Sequence, residues 1–511
     1  MKKAVVPILV LIVILIAGYF IANALIRKKV DEALRSLPAS LSVKYDRLHI
    51  NVLTGSLNLE GVQARYTPRP ANGRNGHEIA VKKITVSGLS VIAWIWSHRL
   101  RIRDIRLEDI VIRVNEDLME HDSTLQQLKP PAMDAMVSRV ELTRLKVEGL
   151  RKGKACFSLE GNLQVDSVTH NTVAAIRLEA DSAWYIVPGM EETIRLGRLE
   201  IDSRRKLLLA DAMQITPDLE KEEIGRLKRH QVDVVRANTG GLEVKGLDVM
   251  GLIHRRLHAD EISLRGGRVY VFRDRRLPIQ PGEKPLPVES LKDIPSDIRV
   301  GRVHLESTRV EYEEFPKIGN KTGKLVIERF HGNLVPLLNK PVAGDPAFIT
   351  LTTEGSLMGS GLVTATMRMP LRKNGYYEVE GAFHDLDVTR LNNPAENLGQ
   401  LHLESGMLNM LDFQFEMGEE RATGKIIGEY HDLVVDKLKE KNGELKTDKL
   451  KSFALKKLII PRNKDKSLPV SKRTGKVDYK RDKQRYFSYY LLHSLLVGVK
   501  SSFSLGFLLP G

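Results

Sequence analysis

The chain of 511 residues contains a single cysteine, Cys156. That excludes an intramolecular disulfide, a zinc ribbon and a Cys-ligated cluster, so burial and backbone hydrogen bonding must hold the fold together. Aromatic residues make up only 6%, and no basic stripe is interleaved with stacking rings, which argues against nucleic acid as a partner. Catalytic motifs are missing as well. Gly149-Leu150-Arg151-Lys152-Gly153-Lys154-Ala155 lacks the spacing of a phosphate loop and the final Ser or Thr that would hold magnesium. Gly359-Ser360-Gly361 reads as a turn between strands. His254 and His258 flank the start of a strand with no acidic ligand at motif spacing. Glu311, Glu313 and Glu314, like His384-Asp385-Leu386-Asp387, read as the polar face of strands. The expectation is a non-enzymatic protein with no catalytic, cofactor-binding or metal-ligating residues and no cofactor.

Long apolar runs are scarce too, with one exception. Val5 to Ile26 carries no charge over 22 residues, enough for one helix across a ~30 Å hydrocarbon core at ~1.5 Å per residue. The expectation is a signal-anchor with Val5, Leu9, Ile12, Leu15, Ile21 and Ile26 among its lipid-facing positions; a cleaved signal peptide is the alternative, because Ala22-Asn23-Ala24 resembles a cleavage site. Lys2 and Lys3 on one flank oppose Arg27, Lys28 and Lys29 on the other, so charge bias does not orient the span.

What the rest of the chain has in quantity is alternation. Leu48 and Ile50, Leu57 and Leu59, and Leu411, Phe413, Phe415 and Met417 alternate with mostly polar neighbours, the signature of strands with one apolar and one wet face. A phrase recurs within it. Ile105 to Val114 can be laid over Val140 to Val147 and over Val303 to Tyr312; in each, two alternating apolar residues are followed by a short offset and another strand. Val86-Ser87-Gly88-Leu89-Ser90-Val91 matches Val244-Lys245-Gly246-Leu247-Asp248-Val249 at 244 − 86 = 158, and Leu107 and Ile112 match Leu264 and Val269 at 157. The two stretches read as an internal duplication. Thr216-Pro217-Asp218-Leu219-Glu220 predicts an N-cap, a proline at the first helical position and a helix to about Lys228. Trp94 to His98 predicts a helical turn in the place of Leu252 to Arg256.

Charge is uneven. From Lys437 to Arg485 there are eighteen basic and six acidic residues, 18 − 6 = +12 of the chain's net +15. This tail reads either as a solvated edge that blocks strand pairing or as an attraction to anionic headgroups, with strands at Phe453 to Leu455 and Leu458 to Ile460. Tyr486 to Val499 is apolar but too short to span a bilayer; it predicts a helix closing the end of the sheet or one lying in a membrane interface.

The fold class expected is mainly β: a transmembrane helix, then an elongated, twisted antiparallel β groove of repeated units with short helices and a C-terminal helix. The divisions are 1–30 anchor, 31–240 first β unit, 241–436 second β unit, 437–485 basic segment and 486–511 apolar helix and tail. On Leu48 to Gly61, Ile84 to Asp117, Leu242 to Arg276 and Gly355 to Lys437, the sequence resembles the AsmA-like proteins of Gram-negative bacteria, in their shorter Bacteroidota-type branch. The resemblance implies an inner-membrane anchor, a periplasmic body and a bridge-like lipid-transfer groove serving outer-membrane biogenesis. Phospholipid and membrane would be the partners, with other envelope proteins as further candidates. Leu107, Ile112, Leu264, Val269, Leu411, Phe413 and Phe415 would face the lipid. The alternatives are an envelope scaffold with a closed, dry core that tethers proteins and transports nothing, and an envelope hydrolase.

Overall fold

The computed structural model describes residues 40–51, 55–67, 76–89, 99–116, 134–169, 172–188, 192–441, 444–447 and 471–502. The anchor positions Val5, Leu9, Ile12, Leu15, Ile21 and Ile26 lie outside them, as do Trp94 to His98 and the strands expected at Phe453 to Ile460. No helix among the described residues is long and apolar enough to cross a membrane. The described chain is mainly β, with 24 strands and a few short helices. It divides into two compact units, residues 1–188, 193–213 and 243–258, and residues 189–192, 214–242 and 259–511.

In the first unit the chain forms β1 (Leu41–Lys44), β2 (Arg47–Asn51), β3 (Ser56–Tyr66), β4 (His77–Ser87), β5 (Arg99–Asn115), β6 (Asp134–Arg151), β7 (Lys154–Val168) and β8 (Val173–Val187). Short strands β9 (Glu192–Leu196), β10 (Leu199–Asp202) and β11 (Leu207–Ala210) follow. β1 and β2 both lie along β3, and β3 to β8 pair in chain order, after which β8 pairs β10 and β10 pairs β11. Within this unit the antiparallel expectation fails between β5 and β6, which are parallel. Residues 117–133 between them, outside the described residues, are long enough for the crossover a parallel pair requires.

The offset inside the recurring phrase has a backbone cause. Asp109 in β5 and Arg144 in β6 adopt the left-handed conformation, with φ of 53° and 51°. Each such bulge inserts one residue and slips the alternation by one. Ile105 and Leu107 therefore stay on the same buried face as Ile110, Ile112 and Val114, and Val140 and Leu142 on that of Leu145 and Val147. Because both strands are bulged at matching positions, Ile105 pairs Val140 before the bulge and Ile112 pairs Val147 after it, at a constant offset. The same offset is written in charge on the other face. Arg106 donates to Glu141 (3.0 Å), Arg113 to Glu148 (3.3 Å), Arg151 to Glu116 (2.8 Å) and Arg144 to Asp109.

Next come β12 (Met213–Pro217), α1 (Lys221–Lys228), β13 (Asp233–Lys245), α2 (Val249–Ile253), β14 (Arg256–Asp274), α3 (Pro287–Lys292), β15 (Asp297–Phe315), β16 (Gly323–Val335) and β17 (Leu337–Leu338). The chain then forms β18 (Phe348–Leu357), β19 (Gly361–Pro370), β20 (Tyr377–Asp387), α4 (Asn392–Gly399), β21 (Leu401–Met417), β22 (Arg421–Lys441), β23 (Glu444–Thr447), β24 (Ser471–Lys480) and α5 (Phe487–Ser502). α1 starts later than its sequence signal: Thr216 and Pro217 end a strand, and Glu220 is the N-cap, in a capping box with Glu223. The stretches matched in sequence share backbone geometry. Gly88 and Gly246 both have φ of 68°, and the bulge at Asp109 recurs at Gly266 (φ 51°). β15 carries the third copy of the phrase with its own bulge at Ser307 (φ 47°). It runs in the same direction as β14, since Gly301 abuts the backbone of Asp260 and Arg275 N–H donates to the Phe315 carbonyl.

In the second unit β15, β16, β18, β19, β20, β21, β22 and β24 pair in that order, all antiparallel. This ladder is curled. From α4, Asn393 accepts from Lys324 N–H at the start of β16 (2.6 Å), and Asn392 accepts from Leu403 N–H in β21 (2.7 Å). Four ladder steps at ~4.8 Å would separate those strands by roughly 19 Å if flat. Neighbouring residues on one helix cannot reach that far, so the sheet bends round to meet it.

Candidate functional site

The concentration of apolar side chains in the second unit is one face of this curled ladder. Pair by pair, Leu334 opposes Leu351, Leu351 opposes Met367, Met367 opposes Val379, and Val379 opposes Phe415. A neighbouring row runs Val363, Phe383, Leu411. Rings bind the rows together, with Phe383 and Phe413 centroids 5.8 Å apart and Phe413 and Phe415 6.1 Å apart, both tilted.

Three elements cover part of this face. α5 lies on β24 and β22 through Tyr490, Ser494, Gly498 and Ser502, all buried and spaced by four. Small residues let the backbones approach: a Cβ on Gly498 would strike Ile426 and Val477, and one on Gly475 would strike the helix backbone at Gly498. Tyr490 places its ring in the core and donates its hydroxyl to the Gly418 carbonyl at 3.2 Å. Burial raises its hydroxyl pKa and pushes the Tyr377 and Tyr479 hydroxyls up to about 12. From α3 and its N-cap, Leu286, Val288 and Leu291 enter the same core, and Val288 N–H donates to the Tyr377 hydroxyl at 3.1 Å. α4 stands at the opposite end, with Leu398 against Gly323. The expected helix at the C-terminal end is therefore present, and it covers a sheet face.

Coverage is graded. Val379, Phe415, Ile426, Met417 and Val477 are fully buried, whereas Leu334, Leu351, Met367, Val363 and Phe383 are only half-buried. The apolar face is shut toward β20–β24 and partly open toward β16–β19. Of the expected lipid-facing residues, Leu411, Phe413 and Phe415 meet on this face and are buried. Leu107 and Ile112 share the buried face of the first unit, and Leu264 and Val269 are half-buried on β14, either side of its bulge. The half-open row was not singled out by sequence; its signal was the alternation of Ile349, Leu351, Thr353 and of Val363, Ala365, Met367.

Compared with known proteins, the chain matches no family model, no curated protein and no solved structure. The site rests on its own geometry.

A second cluster in the same unit is ionic. Glu313 and Glu314 are buried, not members of a wet strand face as their spacing suggested. Glu313 accepts from Tyr270 (2.5 Å) and Lys221 (3.1 Å). Burial alone would raise its pKa, but hydrogen bonds from Tyr270, Thr322 and Lys221 outweigh that and hold the carboxyl down to about 2. Glu314 accepts from Tyr312 (2.6 Å) and Arg275 (3.0 Å), and Arg273 binds Asp233 through two bonds of 2.7 and 2.6 Å. Lys221 also lies 4.5 Å from the Phe272 ring centre, beside the small core of Ile224, Val234 and Phe272. These contacts fasten α1 to β14 and β15, a structural task that occupies the charges. Among the described residues no group of His, Cys, Asp or Glu is arranged to hold a metal ion.

Proposed function

We propose that this chain is a membrane-anchored, non-enzymatic carrier that shelters phospholipid acyl chains on the half-open apolar face of its second β unit. In the setting its family resemblance implies, the anchor sits in the bacterial inner membrane and the body lies in the periplasm, serving outer-membrane biogenesis. The observation that carries the reading is the half-open row Leu334, Leu351 and Met367, continuous with a closed apolar core. Acyl chains on such a track would leave water while headgroups stay wet, at roughly 25 cal/mol per Å² of apolar surface removed, and no reactive side chain is needed. Full-length protein purified in mild detergent should carry phospholipid measurable by mass spectrometry. A Met367→Glu variant with unchanged thermal unfolding should carry much less; equal lipid in both, or none in the parent, contradicts the proposal.

One observation favours a second reading, an envelope scaffold that tethers protein partners. In the first unit the apolar face is shut along β3 to β6, with Leu107, Ile110 and Val140 at 0% exposure. A scaffold predicts normal lipid distribution on deletion and a specific protein partner in pull-downs.

A further inference from the structure

One rim of the second unit combines exposed apolar side chains with unmatched positive charge. It is formed where β16, β19 and β21 end and β15, β18, β20 and β22 begin. Val342 is 64% exposed, Tyr376 57% and Ile294 38%, three large apolar side chains on loops of one rim. Hydrogen bonds tie the loops that carry them. Asn339 donates to the carbonyls of Ile294 (3.1 Å) and Ser296 (2.7 Å), Leu371 N–H donates to the Ala347 carbonyl, and Lys292 donates to the Leu371 carbonyl (2.7 Å). Tyr376 then rests on Gly418.

Acids on this rim are largely neutralised from within. Asp345 is held by Arg299 at 2.6 Å, Glu419 by Arg481 at 2.8 Å and Glu420 by Lys483 at 2.5 Å; Asp293 has no ion-pair partner among the described residues. On the basic side, Arg372 and Lys373 are exposed and form no ion pair among the described residues, and Lys340 donates only to a backbone carbonyl.

We propose that this rim seats on an anionic phospholipid bilayer, with Tyr376 and Val342 entering the headgroup region and Arg372, Lys373 and Lys340 facing the lipid phosphates. An amphipathic ring suits the interface, aliphatic tips suit the layer beneath it, and cations within a Debye length are drawn to negative headgroups. The contact deepens the lipid-carrying reading, on which its purpose rests, by giving the open row a bilayer to draw from.

The test uses the full chain in nanodiscs with Cys156→Ser, so that a polarity-sensitive dye can be placed at Tyr376→Cys, Val342→Cys or, at the opposite end of the sheet, Ile318→Cys, which is 57% exposed in the parent. Vesicles of mixed phosphatidylcholine and phosphatidylglycerol should shift emission to the blue at 376 and 342 and leave 318 unchanged. Phosphatidylcholine alone should do so weakly. Reversal by Arg372→Glu with Lys373→Glu should weaken the response about tenfold. No shift at 376 and 342, or an equal shift at 318, overturns the proposal. If lipid co-purifies while 376 stays in water, carriage stands and this contact falls; if 376 responds while no lipid co-purifies, the contact stands without carriage.

Discussion

The two units treat the same kind of strand differently. In the first, the apolar face is buried along β3 to β6 and half-buried only in places on β7 and β8, and its outer face is laced by ion pairs: Arg65 with Glu78, Arg113 with Glu148, Lys146 with Glu148 and Glu160, Arg139 with Asp166. In the second, the apolar face is shut on one side only, and the outer face is built largely from Thr352, Thr364, Thr366, Gln414 and Glu380, around two adjoining open hollows of about 680 and 730 Å³. Charge in the second unit has instead moved inward, to Glu313, Glu314 and Arg273. One-faced strands thus leave open how completely the face is covered; the covering elements α3, α4 and α5 decide it.

The largest effect should come from the inward charges. Glu313→Leu removes the buried acceptor shared by Lys221 and Tyr270 and should cost about 4 kcal/mol in urea unfolding, the sum of the lost ion pair and the Tyr270 hydroxyl left without its acceptor. Next, Leu107→Ala in the shut face should cost about 3 kcal/mol and Leu351→Ala in the half-open row about 1 kcal/mol, because the second site already meets solvent. Equal costs would erase the distinction between the faces. Gly498→Val should lift α5 off Ile426 and Val477, costing about 2 kcal/mol and raising the binding of a hydrophobic dye.

A pH effect of smaller size belongs to α5. Burial holds the His493 imidazole below its ordinary value of 6.5, so the folded state keeps it neutral while the unfolded chain takes up a proton first. Stability from this group is present above about pH 6.5 and is lost as pH falls below it. Protection of the α5 amides from hydrogen exchange should decline between pH 7 and about 5 and be restored in His493→Gln. The smallest effect is expected on the outer face of the first unit: Arg113→Ala should change stability by about 0.5 kcal/mol or less, since Arg113 is exposed and Glu148 keeps Lys146.

Much of this was legible in the residues and some was not. The mainly β character could be read because side-chain period is a local property. The offset in the recurring phrase was visible too, but its cause was not: Asp109, Arg144 and Ser307 are not glycine, and of the three only Asp109 is of a type enriched in the left-handed backbone. The parallel pairing of β5 with β6 had a signal that alternation alone could not supply. Arg106 and Glu141, Asp109 and Arg144, Arg113 and Glu148, and Glu116 and Arg151 are complementary pairs at one constant spacing. α1 was placed early because Thr-Pro can end a strand as readily as open a helix. The half-open row escaped because its exposure depends on α3 and α5, which are distant in the chain, and because threonines dilute its alternation.

The most direct test of lipid carriage is a photo-crosslinking amino acid introduced singly at Leu351, Met367 and Leu107 in the full chain, irradiated in cells. The account predicts phospholipid adducts at Leu351 and Met367 and none at Leu107. Adducts at none of the three, or as many at the shut Leu107 as at the open row, would contradict it.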